Sequence, residues 1–364
     1  MKTEKYTSAR PGVALLVVLI IVMAITITAL GFLSQSDVEL ACGANMLMRT
    51  QMDYLAESGL EHAKGLILNP QDVSSEYWAG GTGLQLVSGS NDSYDVTVVR
   101  NASDRCNYTI DCSSYRMDGT ERIGLSRLQA ELRLDPCIAY WVGGNTTIPL
   151  SMTIRGDVYC GGTLTNNGFI YGDAFAAGTI SGLNITGRKN GSVASPPVAW
   201  PNLAVTDFSL TYIIGDGNVP TPGPLTGVCY GSSDVNMPGN VTINGTLIVT
   251  GKLTVSGSNN VINASKNFPA LLVGGQVVMK DGSSLVINGL AQIGQGISLY
   301  TGATNASVQV TGGLFIASDG ISSSITVNAT AAPEIASIEV SPAGVPRRWR
   351  LAAGAFFKSI ERVP

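Results

Sequence analysis

The sequence predicts a mainly β protein entered through one long N-terminal α-helix, with a small α+β head followed by a parallel β-solenoid. Three observations carry this. Residues 13–33 form an apolar run without a single charge, apolar positions then recur at helical spacing as far as Asn69, and from residue 141 glycine returns at short fixed intervals among β-forming side chains.

The helix comes first. At about 1.5 Å per residue, residues 13–33 cover roughly 30 Å, the hydrocarbon thickness of a bilayer. The leader before them carries Lys2, Lys5 and Arg10 against Glu4, and the first charges beyond are Asp37 and Glu39. The positive-inside rule therefore puts the N-terminus in the cytoplasm and everything after Leu33 on the exported side. A cleavable secretory signal has an apolar stretch of about 7–15 residues followed by a small-residue cleavage site. Here the run is longer and the helix pattern continues through Met48, Met52, Leu55, Ala56, Leu60, Ala63 and Ile67, with no proline between Pro11 and Pro70. The residue before a proline is pushed out of the helical region, so the expected stop is Asn69. The segments are a leader over 1–12, a transmembrane part over 13–33 and an amphipathic stem over 34–70.

A short basic leader ending Arg10-Pro11-Gly12, set directly before such a helix, resembles the class III signal of type IV prepilins and pseudopilins. The resemblance implies that a prepilin peptidase cuts between Gly12 and Val13, leaving Val13 as a methylated N-terminus. The fifth mature residue, glutamate in most major pilins, is Val17, which argues against a major subunit. On the stem, residues 51–61 with Ala56, Glu57, Gly59, Leu60 and Glu61 resemble the signature of PilX-type minor pilins. Over residues 10–135 the resemblance implies an inner-membrane precursor, a pilin-like α+β head and other pilin or pseudopilin subunits as partners. The alternative is a plain uncleaved anchor, which needs only hydrophobicity and flanking charge.

Residues 71–140 change to strand alternation. The stretches 94–99, 108–112 and 128–134 each read apolar and polar by turns, which predicts three antiparallel strands whose apolar face is covered by the stem helix. The six cysteines, Cys42, Cys106, Cys112, Cys137, Cys160 and Cys229, all lie beyond the apolar run, where an oxidising compartment favours disulfides. The preferred pairs are Cys106 with Cys112 and Cys137 with Cys160, although six cysteines allow fifteen pairings. There is no Cys-x-x-Cys, and the only histidine, His62, sits on the stem. No metal site and no cofactor are expected.

From residue 141 to residue 330 the composition shifts to glycine, asparagine, serine, threonine and valine, without one glutamate or histidine. Gly239, Gly245, Gly251 and Gly257 return every sixth residue, and Gly275, Gly282, Gly289 and Gly296 every seventh. Such spacing predicts short strands joined by tight corners, stacked so that inward Val, Ile and Leu side chains share one core. The composition resembles the solenoids of bactofilins. A β-sandwich would also use short strands but gives no reason for the glycine period. Prolines 196, 197, 201, 220, 222 and 224 mark residues 191–238 as a long loop or inserted arm. The tail over 331–364 brings back charge and aromatic residues, and is expected either to cap the last coil or to dock a partner.

A net charge of −4 without a dense basic patch argues against nucleic acid as the main partner. No phosphate loop, dinucleotide fingerprint, nucleophile elbow or His-Glu-x-x-His occurs. Asp157 and Asp173, in Gly-Asp pairs sixteen residues apart, are the carboxylates to weigh for glycan cleavage; the simpler reading makes Gly-Asp a corner dipeptide. The expectation is therefore no catalytic residue. The chain reads as a minor pilin-like or pseudopilin-like subunit displaying its solenoid, or alternatively as an anchored envelope protein whose solenoid binds surface polysaccharide.

Overall fold

Apolar spacing at three and four builds one helix, and the computed structural model has it as α1, Pro11–Leu68. The structure describes residues 11–69, 77–221, 223–265, 267–318, 320–340 and 347–363. The first ten residues of the leader and Pro70 lie outside them. At about 1.5 Å per residue α1 is roughly 87 Å long. Its two halves differ. Met52, Leu55, Ala56, Leu60, Ala63 and Ile67 are buried on one stripe, as their spacing requires, whereas every described side chain from residue 13 to residue 47 is exposed.

The stripe packs on an antiparallel sheet. Its strands are β1 (Gly80–Leu84), β2 (Asp92–Arg100), β3 (Asn107–Asp118) and β4 (Glu121–Leu134), each paired with the next. Tyr94, Val96, Val98, Ile110, Cys112, Leu128, Ala130 and Leu132 alternate toward the helix and are buried. The three expected strands are present within a sheet of five. The fifth is the C-terminal strand Ala355–Arg362, antiparallel to β4, with Phe357 opposite Leu132 and Arg362 opposite Leu128. Arg362 also reaches Asp53 on α1 at 2.5 Å. The tail thus returns to the head instead of ending as a cap or a free docking segment.

The solenoid is consequently an insertion between two neighbouring strands of one sheet. Its strands run from Ile138 to Ala331, all parallel, in about ten stacked coils. Coils are not stacked in sequence order. From Ile138–Val142 the chain winds outward through Asp157–Cys160 and Ala174–Ala176 to Lys189–Asn190. It then crosses to the opposite end, starts again at Tyr212–Ile213 and winds back through Leu225–Gly231, Thr242–Val249 and Ser283–Ile293 to Ala306–Ile316 and Ile325–Ala331. The last coils lie on the first: Leu314 faces Tyr140, and Ala329 faces Ile154. One inward column, Ile243, Ile262, Ile287, Val310, Ala329, Ile154 and Ile170, runs through this seam with no member more than 1% exposed.

The glycine period now has a geometric meaning. Gly227 faces Gly245 and Val235 faces Leu253, one coil of eighteen residues, so the six-residue spacing marks three corners per coil. At Gly245 (φ +153°) a Cβ would lie 2.0 Å from the carbonyl oxygen of Gly227 in the coil below. No other residue fits there.

The segment read as an arm over 191–238 is mostly coil. Only its first part is a connector, and it lies flat along the flank. Val198 and Phe208 are buried, Trp200 packs against Trp141 and Phe315 at 5.0 and 6.2 Å, and the Trp141 and Trp349 indoles donate to the Val198 and Ala199 carbonyls at 3.2 and 2.7 Å. Leaving out residues 353–364 exposes the β4 edge and removes Phe357 from the head. We expect the melting temperature of the detergent-solubilised chain to fall by roughly 4–8 °C per kcal/mol lost from a head of this size, with the loss concentrated in amide-exchange protection of β4.

Candidate functional site

The largest unsatisfied surface is the first half of α1. Val13 is 63% exposed, Ile27 66% and Leu47 61%, and an 18-residue window with mean hydropathy 2.9 has no part of it buried. Full burial of one such side chain is worth about 1.5–3 kcal/mol, and by length and composition the helix is a candidate membrane span. Within residues 13–33 the two hydroxyls are satisfied by the helix's own backbone. The Thr26 and Thr28 hydroxyls donate to the Val22 and Ala24 carbonyls, each at 2.8 Å, within the helix itself. Gly12 lies in the first turn of α1, one residue before the exposed Val13.

The stem motif divides between two faces. Ala56 and Leu60 are buried under the sheet, and Gly59 sits where α1 comes nearest to it. A Cβ on Gly59 would lie 2.4 Å from Cys112 Sγ and 2.9 Å from the Tyr94 ring. The glycine is therefore what lets helix and sheet touch. Glu57 and Glu61 point to solvent, Glu61 pairing with Lys64 at 3.2 Å. Of the two, Glu57 is exposed without an ion pair among the described residues, while Glu61 already shares Lys64.

His62 also meets the sheet, its Nδ1 lying 2.9 Å from the Tyr94 hydroxyl and its ring 5.6 Å from Trp78. Among the described residues no cluster of His, Cys, Asp or Glu could hold a metal ion. The cysteines are free thiols, five buried and Cys42 exposed on α1. The pairings expected from sequence are not made. Cys106 and Cys112 lie six residues apart along extended backbone, about 20 Å, well beyond disulfide reach. Cys160 Sγ contacts the Gly144 carbonyl at 3.1 Å. Cys106 instead lies against Cys137, and both thiols are pushed up, Cys106 first by its hydrogen bond with Cys137 and Cys137 first by burial. Burial raises Cys112 to about 12 and Cys229 to about 11.

Asp157 and Asp173 do fall on adjacent coils, and both are committed to holding corners. Asp157, fully buried, accepts from the Cys137 and Asp173 backbone N–H groups at 2.7 Å each and from Arg133 at 2.8 Å. Asp173 repeats the device one coil on, accepting the Arg188 N–H at 2.7 Å and its guanidinium at 2.5 Å. Burial pushes Asp157 up to about 6 against the pull of Arg133 and the two backbone donors. Neither carboxylate faces an open cleft.

Sequence reasoning missed the joint these residues make. Arg133 ends β4 and Asp157 begins a coil, so their pair ties head to solenoid. A second tie runs from Arg100 and Arg105 of the head to Glu334, which is 1% exposed; the Arg105 contact is 3.2 Å. The only signal was the return of glutamate after residue 330.

No family model and no curated protein matches the chain. Among solved structures it is similar to the competence-associated pilin ComZ from Thermus thermophilus, at 12% identity, over 87% of this chain and 98% of that one, with a TM-score of 0.27. A likeness of that size carries no functional argument.

Three substitutions test this geometry. Gly59→Val should separate helix from sheet and cost about 1–3 kcal/mol in chemical unfolding, as overpacking of a tight contact does. Asp157→Ala strands Arg133 and two buried N–H groups and should cost about 3–5 kcal/mol, whereas Glu61→Ala, on the exposed face, should change stability by less than about 0.5 kcal/mol.

Proposed function

We propose that this chain is a minor pilin-like or pseudopilin-like subunit of a type IV pilus or type II secretion-type filament. One observation carries the reading. A single helix serves two solvents: its C-terminal half is the core of an antiparallel head, and its N-terminal half, which carries no charge over residues 13–33, is wholly uncovered. A bilayer covers that half first, and the same half of neighbouring subunits covers it afterwards.

In this reading the chain is an inner-membrane precursor with its N-terminus in the cytoplasm. Prepilin peptidase removes residues 1–12 by cutting between Gly12 and Val13, and the mature subunit joins others through residues 13–47. The exposed Glu57 and Glu61 of the PilX-like stretch face the neighbouring subunits. The bactofilin-like solenoid, roughly 48 Å long at about 4.8 Å per coil, is too bulky to repeat along a filament. It projects as an adhesive or structural surface and limits the subunit to few copies. No enzymatic role is assigned, consistent with Asp157 and Asp173 being consumed in corner bonds.

Coexpression with a prepilin peptidase tests the central step. N-terminal sequencing should give Val13, and Gly12→Ala should leave the precursor uncut. Intact Met1 in the unsubstituted chain, with a peptidase shown to be active on a control prepilin, would replace this reading with the plain anchor.

A further inference from the structure

We infer that the cleft between the head and the middle of the solenoid binds an acidic polysaccharide. The cleft has a volume of about 390 Å³ and is lined by Ser103 and Arg105 from the β2–β3 turn and by Arg155, Gln309, Thr311 and Thr330 from the coils. No carboxylate lines it.

The lining differs from the rest of its own ladder. Thr226, Asn244, Asn263, Asn288, Thr311, Thr330, Arg155 and Tyr171 form one outward column across successive coils. In the asparagine part the amides satisfy one another, Asn263 donating to Asn244 at 2.9 Å and Asn288 to Asn263 at 2.8 Å. Within the cleft, Thr311, Thr330 and Gln309 make no side-chain hydrogen bond to any described residue. Arg155 pairs with no described carboxylate, and its guanidinium lies 5.1 Å from the Tyr171 ring. Arg105 is already matched by Glu334. The cleft therefore offers one uncompensated planar cation, a set of free hydroxyl and amide groups, and the partly exposed rings of Phe169 and Tyr171 beside them.

Each part fits a sugar acid. A guanidinium takes a carboxylate through two parallel hydrogen bonds. Hydroxyls and an amide both donate to and accept from sugar hydroxyls, and an aromatic ring covers an apolar sugar face. Coils recur at about 4.8 Å, close to the length of one sugar unit in an extended glycan, so a chain lying along the solenoid sets successive sugars against Thr311, Thr330, Arg155 and Tyr171 in turn. Duplex DNA fits poorly: its two strands together place a charge about every 1.7 Å, denser than one carboxylate per sugar unit, and one free arginine cannot answer that density. The inference deepens the displayed-surface reading above and rests on it only for the exported location, since binding by purified protein needs no filament.

The test is titration of the full chain in detergent micelles with polygalacturonate, with dextran and duplex DNA as comparisons. Polygalacturonate should bind, dextran and DNA should bind at least tenfold more weakly, and Arg155→Gln should weaken polygalacturonate binding about tenfold. Arg155→Lys should restore part of it. Thr311→Val combined with Thr330→Val should weaken binding several-fold at unchanged circular dichroism, which decides the matter if the arginine variant does not fold. Absence of polygalacturonate binding, equal binding by Arg155→Gln, or dextran or DNA binding as tight as polygalacturonate would overturn the assignment. None of these outcomes touches cleavage at Gly12, so the two readings fail separately.

Discussion

Everything beyond residue 134 obeys one constraint: β4 and the C-terminal strand are hydrogen-bonded neighbours. Whatever is built between them must leave and return at one place. A solenoid wound in sequence order would put its two ends roughly 48 Å apart, ten coils at about 4.8 Å each. Starting in the middle removes the conflict. The chain enters at Ile138 and leaves at Ala331 on the same corner, where a Cβ on Gly156 would meet the Ala331 and Ala139 methyls at 2.7 and 3.0 Å. The parallel seam then closes the stack, and its inward residues are as dry as those of any other coil.

That solution has consequences elsewhere in the molecule. A chain wound outward from its middle must cross the whole stack once, and the crossing needs cover of its own. The connector finds it in Trp141, Trp200, Phe315 and Trp349, rings brought together from four distant parts of the sequence. The seam also joins residues near 140 and 154 to residues near 314 and 329, so the loop between them is ordered before the seam rewards it. Arg133 with Asp157, and Glu334 with Arg100 and Arg105, fix the two chain crossings between head and solenoid by charge. Buried pairs of this kind specify position more than they add stability.

How much of this the sequence carried varies with how local the signal is. Positions 52, 55, 56, 60, 63 and 67 defined the helical stripe, and residues 94–99, 108–112 and 128–134 the strands, because each face is buried on one side only. Gly239 to Gly257 gave the corners, since a corner is a local demand on φ or on space. The order of the coils was not legible. One Val-x-Ile rung stacks on another equally well, and nothing in Ala329 or Ile154 names its neighbour. The C-terminal strand was hidden for a related reason: it lies at a sheet edge, where its outward residues carry charge and blur the alternation. The cysteine pairs failed because proximity in sequence was taken for proximity in space. The motif around Gly59 was visible as a pattern, but its cause, the approach of Cys112 and Tyr94, needed the third dimension.

The expectation of a cap at residues 331–364 failed for an instructive reason. It assumed that the ends of a solenoid are the ends of its chain segment, and an open end does expose strand edges that invite pairing with another molecule. Here both chain ends lie at the middle, so the exposed ends fall to internal segments. Those segments carry the protection. Lys189–Asn190 and Tyr212–Ile213 are strands of two residues each, against eleven for Ser283–Ile293 and Ala306–Ile316 near the seam. A two-residue edge offers too few free N–H and C=O groups to template a partner, and Arg188 and Lys189 add charge at one of them. The tail, released from capping, is free to complete the head. One decision about where the winding starts therefore sets which part of the chain must guard an edge and which can hold the two domains together.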